Sequence, residues 1–101
     1  MILFNKDLSK DKNIIFIAEI GINHEGSISK AKKMIKLAKV AGADAVKFQS
    51  FTLDRYCSID EKDRYKKLKR FELKPHQFYE LYKFAKKNKI FFFSTAVTED
   101  Y

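Results

Sequence analysis

Four side chains able to do chemistry stand near the ends of three separate apolar runs in a chain of 101 residues: Glu19 in residues 13–20, Lys47 and Gln49 in 43–49, and Thr95 in 90–95. An acid and an amine held together can move a proton and grip an anion, while an amide and a hydroxyl orient the polar groups of a substrate. Burying Glu19 and Lys47 without partners is costly, so each must meet the other or a charged ligand. The pattern alone leaves both open, because an ion pair that only neutralises itself across adjacent strands gives the same constellation.

The loop Gly21-Ile-Asn-His-Glu-Gly26 adds Asn23 and His24 between two glycines, a composition that permits close backbone approach to a ligand. It lacks the spacing of a dinucleotide fingerprint and the Gly-Lys-Ser/Thr ending of a phosphate-binding loop. A lone loop histidine is ordinarily neither ligand nor base, and His76, beside Pro75, reads as surface. Cys57 has no catalytic histidine context and reads as a small apolar residue. As the single cysteine, it also excludes an internal disulfide framework and a cysteine-based zinc site.

Periodicity supplies the elements that must carry these groups. Residues 13–20 form a near-continuous apolar run, which predicts a strand buried on both faces. Ser27 caps a helix to Ala41 whose stripe is Ala31, Met34, Ile35, Ala38 and Ala41, and Gly42 stops it. A second strand at 43–49 follows directly, and a strand–helix–strand unit of this length predicts parallel pairing. Residues 50–61 read as a loop and 62–71 as a short helix. Another helix starts near Pro75, buries Phe78, Leu81, Tyr82 and Ala85, and ends at Asn88 before the third strand at 90–95. Residues 1–4 read as a short preliminary strand and 5–12 as a polar turn.

The order is βαβαβ, an α/β arrangement that fits a doubly wound sheet or a barrel. Strand alternation places Ile15, Ile17 and Glu19 on one face and Phe16, Ala18 and Ile20 on the other. Likewise Ala43, Ala45, Lys47 and Gln49 oppose Asp44, Val46 and Phe48, while Phe91, Phe93 and Thr95 alternate with Phe92 and Ser94. The polar groups thus fall at the C-terminal end of every strand, the active face of an α/β barrel.

Composition narrows the class. With 46% apolar and 15% aromatic residues the chain is not disordered, and no run approaches the roughly 18 apolar residues of a membrane span. No secretory leader is evident, so a cytoplasmic location is expected. The net charge of +8 lies wholly in residues 62–89, with eleven basic and three acidic side chains. A basic nucleic-acid-binding module is the alternative from another class. However, 18 of the 21 basic residues are lysine, and the interleaved aromatics fall on a helical core stripe, so a solvated helix face is the expectation.

Three motifs, Ile17-Ala-Glu-Ile-Gly-Ile-Asn-His-Glu-Gly26, Ala41-Gly-Ala-Asp-Ala-Val-Lys-Phe-Gln-Ser-Phe51 and Phe93-Ser-Thr-Ala96, closely resemble the N-terminal region of the sialic acid synthase family. That family includes N-acetylneuraminate, legionaminate and pseudaminate synthases and related spore coat polysaccharide enzymes. The resemblance spans residues 14 to 96. It departs at Ala96-Val97, where the family commonly has Pro-Phe, and at Glu25, which replaces an asparagine.

The resemblance implies the first three strands of a TIM barrel, followed in the family by an antifreeze-like domain and working as a homodimer. It implies condensation of phosphoenolpyruvate with an N-acetylated amino sugar such as N-acetylmannosamine, giving a nine-carbon 2-keto sugar acid and phosphate, with a divalent cation (Mn or Mg). Glu19 then matches the active-site glutamate, Lys47 and Thr95 the phosphoenolpyruvate contacts and Gln49 a sugar contact, while Asn23 and His24, which lie in the motif, shape the pocket. Neither nucleic acid nor membrane is an implied partner. Another phosphoenolpyruvate-condensing barrel enzyme, acting on a phosphorylated sugar, is the enzymatic alternative. A barrel needs eight strands and ~250 residues, so residues 1–101 are expected to be an N-terminal fragment, inactive alone. The remaining strands, the metal ligands and the antifreeze-like domain would lie outside it.

Overall fold

The structure, a computed structural model, describes residues 2–9, 13–50, 66 and 69–96. The predicted loop at 51–61, Cys57 and most of the predicted helix at 62–71 lie outside the described residues; Lys66 and Lys69 within that stretch are helical.

Three parallel strands, β3 (Ile17–Gly21), β4 (Ala45–Ser50) and β5 (Phe91–Ala96), pair in chain order. The helices α1 (Ile28–Val40) and α2 (Pro75–Lys87) fill the two connections. Ahead of them β1 (Ile2–Leu3) and β2 (Lys6–Asp7) form an antiparallel hairpin, where the sequence predicted one short strand and a polar turn.

Local signals explain both helices. Ser27 Oγ accepts the Lys30 N–H at 3.1 Å to cap α1. At its end, Gly42 takes φ +93 so that Ala43 N–H reaches Ala38 O and Gly42 N–H reaches Lys39 O. Pro75 opens α2, and the Lys74 N–H is taken up by Gln77 Oε1 at 2.7 Å. The same closing motif ends α2, with Lys89 at φ +58 in the position glycine usually holds.

Both helices cover the same face of the sheet. Ala31, Ile35 and Ala38 of α1 and Phe78, Leu81 and Ala85 of α2 pack with Ile20, Val46, Phe48 and Ile90 into one core. Phe48 is its centre, edge-on to Phe78 (6.4 Å, 84°) and 5.1 Å from Phe92. Tyr82, predicted in that stripe, is instead exposed, its ring edge-on to Phe92 at 6.3 Å, and Phe84 packs against the core.

The reading of residues 13–20 as a strand buried on both faces is corrected. The strand begins at Ile17, and Ile14, Phe16 and Ile17 are exposed. An unbroken apolar run reports that both faces tolerate burial, whereas here only one is covered by helices.

The N-terminal ends of the strands are tied together by Asp44. Its carboxylate accepts from the Phe16 N–H at 2.9 Å and pairs with Lys6 at 3.1 Å, and its backbone joins Phe16 O and the Phe91 N–H. The Phe16 N–H above all, then the Lys6 ammonium, holds the Asp44 carboxyl below the usual carboxylate range. Above this tie, Phe4 lies 4.8 Å from Phe91 and 6.4 Å from Phe93, so the hairpin closes over the sheet's helix-free face at that end.

Candidate functional site

Parallel pairing places Glu19 directly opposite Lys47, and Gln49 opposite Thr95. All four point to the face away from the helices, as strand alternation predicts, because Val46 and Phe48 on the intervening positions are buried in the core. Lys47 Nζ lies 3.4 Å from Glu19 Oε2. In the 101-residue chain the Lys47 side chain is 35% exposed and that of Glu19 51%. An ion pair this exposed adds about 0–1 kcal/mol to stability.

A break in register brings Gln49 into the group. Between Glu19 and Gly21 the β3–β4 ladder shifts by one residue, so that Gly21 pairs with Phe48. Gly21 takes φ +57, and a Cβ there would sit 3.4 Å from Glu19 Oε1 and 3.9 Å from Gln49 Nε2. The acid and the amide thus both flank a position that carries no side chain. Asn23 is exposed in the turn that follows, with its N–H donated to Ile20 O. Among the described residues no side-chain bond draws it to the other four.

The sequence missed two features at this end. His24, read as an ordinary loop residue, is 1% exposed, with its ring 5.9 Å from that of Phe48. Desolvation pushes its pKa below the ordinary imidazole value. Ser50, buried, shares a short hydroxyl–hydroxyl bond with Ser94 across β4 and β5. Burial of His24 depends on an aromatic partner in another strand, which local spacing does not encode. A serine at the end of an apolar strand was the available signal for the second.

Among the described residues no three His, Cys, Asp or Glu side chains gather as a metal site. The rim offers one carboxylate, already facing Lys47, which does not fit the several oxygen ligands that a hard divalent cation requires. His76 is exposed. Lys83, Lys86 and Lys87 of the basic stretch are exposed on α2 while Phe78, Leu81 and Ala85 are buried, the arrangement of a solvated face. A cavity of about 400 Å³ lined by Asn5, Tyr82, Lys86 and Phe91 lies at the opposite end of the sheet from Glu19 and Lys47. No described helix is long and apolar enough to cross a membrane.

Comparison with known proteins adds to this geometry. The profile of the NeuB family matches residues 34–101. Pseudaminic acid synthase of Campylobacter jejuni is 40% identical over 80 residues, which are 79% of this chain and 23% of that protein. An uncharacterised protein of Methanocaldococcus jannaschii is 39% identical over 94 residues, 93% of this chain and 28% of its own length. The crystal structure of N-acetylneuraminic acid (sialic acid) synthetase from Leptospira borgpetersenii, in complex with citrate, superposes with a TM-score of 0.80 at 32% identity, over 87% of this chain and 31% of that one. The chain spans less than a third of the length of each of these relatives.

Proposed function

The chain belongs to the NeuB family, and from that premise we propose that it supplies the first three strands of a TIM-barrel synthase that condenses phosphoenolpyruvate with an N-acetylated amino sugar. Two features of the fold support the barrel. The three strands follow one another in chain order, and both helices pack on a single face, whereas a doubly wound sheet has helices on both. The remaining strands, a C-terminal antifreeze-like domain and the homodimer belong to the same proposal.

The observation that carries the chemistry is the half-open Glu19–Lys47 pair, 3.4 Å apart on the helix-free face at the middle of β3 and β4, with Gln49 and Thr95 one step nearer the strands' C-terminal ends. On this reading the Lys47 ammonium leaves Glu19 to hold the anionic phosphoenolpyruvate, with the Thr95 hydroxyl as a further donor. Carbon 3 of that substrate attacks the sugar aldehyde, forming the new carbon–carbon bond, and positive charge builds at carbon 2. Glu19 orients water or takes its proton as water adds there, and phosphate departs with cleavage of its carbon–oxygen bond. Gln49, beside Glu19 over Gly21, orients the sugar.

A chimera tests this. Residues 13–96 replace the matching segment of the Campylobacter jejuni synthase, and phosphate release from phosphoenolpyruvate is followed with that enzyme's own sugar. A folded chimera that turns over, and loses about a hundredfold in rate on Lys47→Met, is expected. A chimera folded by circular dichroism yet inert, or indifferent to Lys47→Met, overturns the proposal. The 101-residue chain alone is expected to release no phosphate.

A further inference from the structure

The turn joining β3 to α1 is built around a histidine that the proposed chemistry does not use. His24 Nδ1 accepts the Gly26 backbone N–H at 2.9 Å. A ring nitrogen that accepts from an amide carries no proton, so the neutral ring bears its proton on Nε2. Nε2 is buried and has no hydrogen-bond partner among the described residues. An orphaned buried donor lowers stability, and an apolar ring in the same place would avoid it. What histidine supplies and phenylalanine does not is the acceptor at Nδ1.

That acceptor closes a turn whose two ends are held tightly. At one end Gly21 is buried, in register with Phe48 and in contact range of the Glu19 and Gln49 head groups. At the other, Gly26 takes φ +79, and a Cβ there would overlap the Arg70 carbonyl. The His24 ring itself stacks on Phe48, the residue between Lys47 and Gln49 that faces the opposite side of the sheet. A shift of the ring therefore moves the backbone under Glu19 and the strand that presents Lys47 and Gln49.

We propose that His24 is a positioning residue, a neutral clamp with its proton on Nε2 that holds the β3–α1 turn against β4 and so sets the separation of the Glu19 carboxylate from the Gln49 amide. Protonating Nδ1 would turn the acceptor into a second donor facing the Gly26 N–H and open the clamp. Among the described residues the charged groups around the turn do not offset this: Glu25 is exposed and engaged by Lys30 at 3.1 Å, Arg70 meets the turn through its backbone carbonyl, and Lys47 points to the other face of β4. The relevance of the clamp to catalysis rests on the roles given above to Glu19 and Gln49; the mechanical coupling does not.

The experiment is NMR on the isotopically labelled 101-residue chain. His24 is expected to show an unprotonated Nδ1 and a protonated Nε2 throughout the pH range in which the chain stays folded. His24→Asn, which keeps an acceptor near the Nδ1 position, should leave the Gln49 side-chain amide resonances close to their wild-type values. His24→Gln and His24→Phe should displace them. A His24 ring that titrates while the chain remains folded overturns the proposal, and this arm needs no variant. So do Gln49 resonances unmoved in folded His24→Phe. Displaced resonances combined with an inert chimera would leave the clamp standing and remove only the catalytic reading.

Discussion

The two ends of the β3–β4–β5 sheet each carry a lysine–carboxylate pair, and the pairs do different work. At the N-terminal end Asp44 is bonded at once to the Lys6 ammonium and the Phe16 N–H, and Phe4 of the hairpin packs on Phe91, whose N–H meets Asp44 O. At the C-terminal end Glu19 and Lys47 meet at a longer distance, half open to solvent, with bare backbone and an amide beside them. One pair is woven into the backbone of three strands, and the other leaves its charges available. A single sheet thus separates a pair bonded into the backbone from a pair that is not.

The comparison is sharpened first at Gly26, because availability at the rim does not mean looseness behind it. Gly26→Ala introduces a side chain at φ +79 into the Arg70 carbonyl. It is expected to cost about 3 kcal/mol of unfolding free energy, measured by urea denaturation. A cost below ~1 kcal/mol would mean that the turn yields and that the C-terminal end is as pliable as its exposure implies. Phe4→Ala tests the opposite end. Phe4 is only partly buried, so a loss of about 2 kcal/mol is expected, below the ~3–5 kcal/mol of a fully buried phenylalanine.

Acid separates the two ends by pH. The His24 pKa is lowered in the folded chain, so the folded state favours the neutral ring. The stability this contributes is present above the unfolded value of about 6.5 and declines as pH falls below it. Asp44 is also lowered, but as a carboxylate, so its contribution holds above the unfolded value of about 3.9 and is lost as pH falls toward the folded one. Urea midpoints measured from pH 8 to 3 should therefore fall in two stages. His24→Asn should flatten the first and Asp44→Asn the second; a single stage in the wild-type chain would show that the ends do not titrate separately.

Which parts of this were legible in the sequence follows from the reach of each signal. The shared face of Glu19, Lys47, Gln49 and Thr95 was readable because strand alternation is strictly local. The start of β3 was not, since residues 14–16 are apolar whether or not anything covers them. Asp44 looked like an ordinary strand residue; its partners Lys6 and the Phe16 N–H stand 38 and 28 positions away. His24 was misjudged for the same reason, its burial being set by Phe48 on another strand. The slip in register at Gly21 had a weak marker, a glycine at a strand end, but its direction depends on the partner strand.

The smallest expected effect is also the most discriminating. Lys47→Met and Glu19→Gln each remove one charge from the rim pair, and each should change unfolding free energy by no more than about 0.5 kcal/mol, because the pair is half solvated and, among the described residues, no backbone group is bonded to it. Asp44→Asn, which weakens a bond that also holds the Phe16 N–H, should cost about 2 kcal/mol under the same conditions. If the rim substitutions instead cost as much as Asp44→Asn, Glu19 and Lys47 would be a structural tie like the one at the other end. Near-neutral stability, joined to loss of turnover in the chimera, is the combination that only a ligand-facing pair produces, since a tie would lose both together.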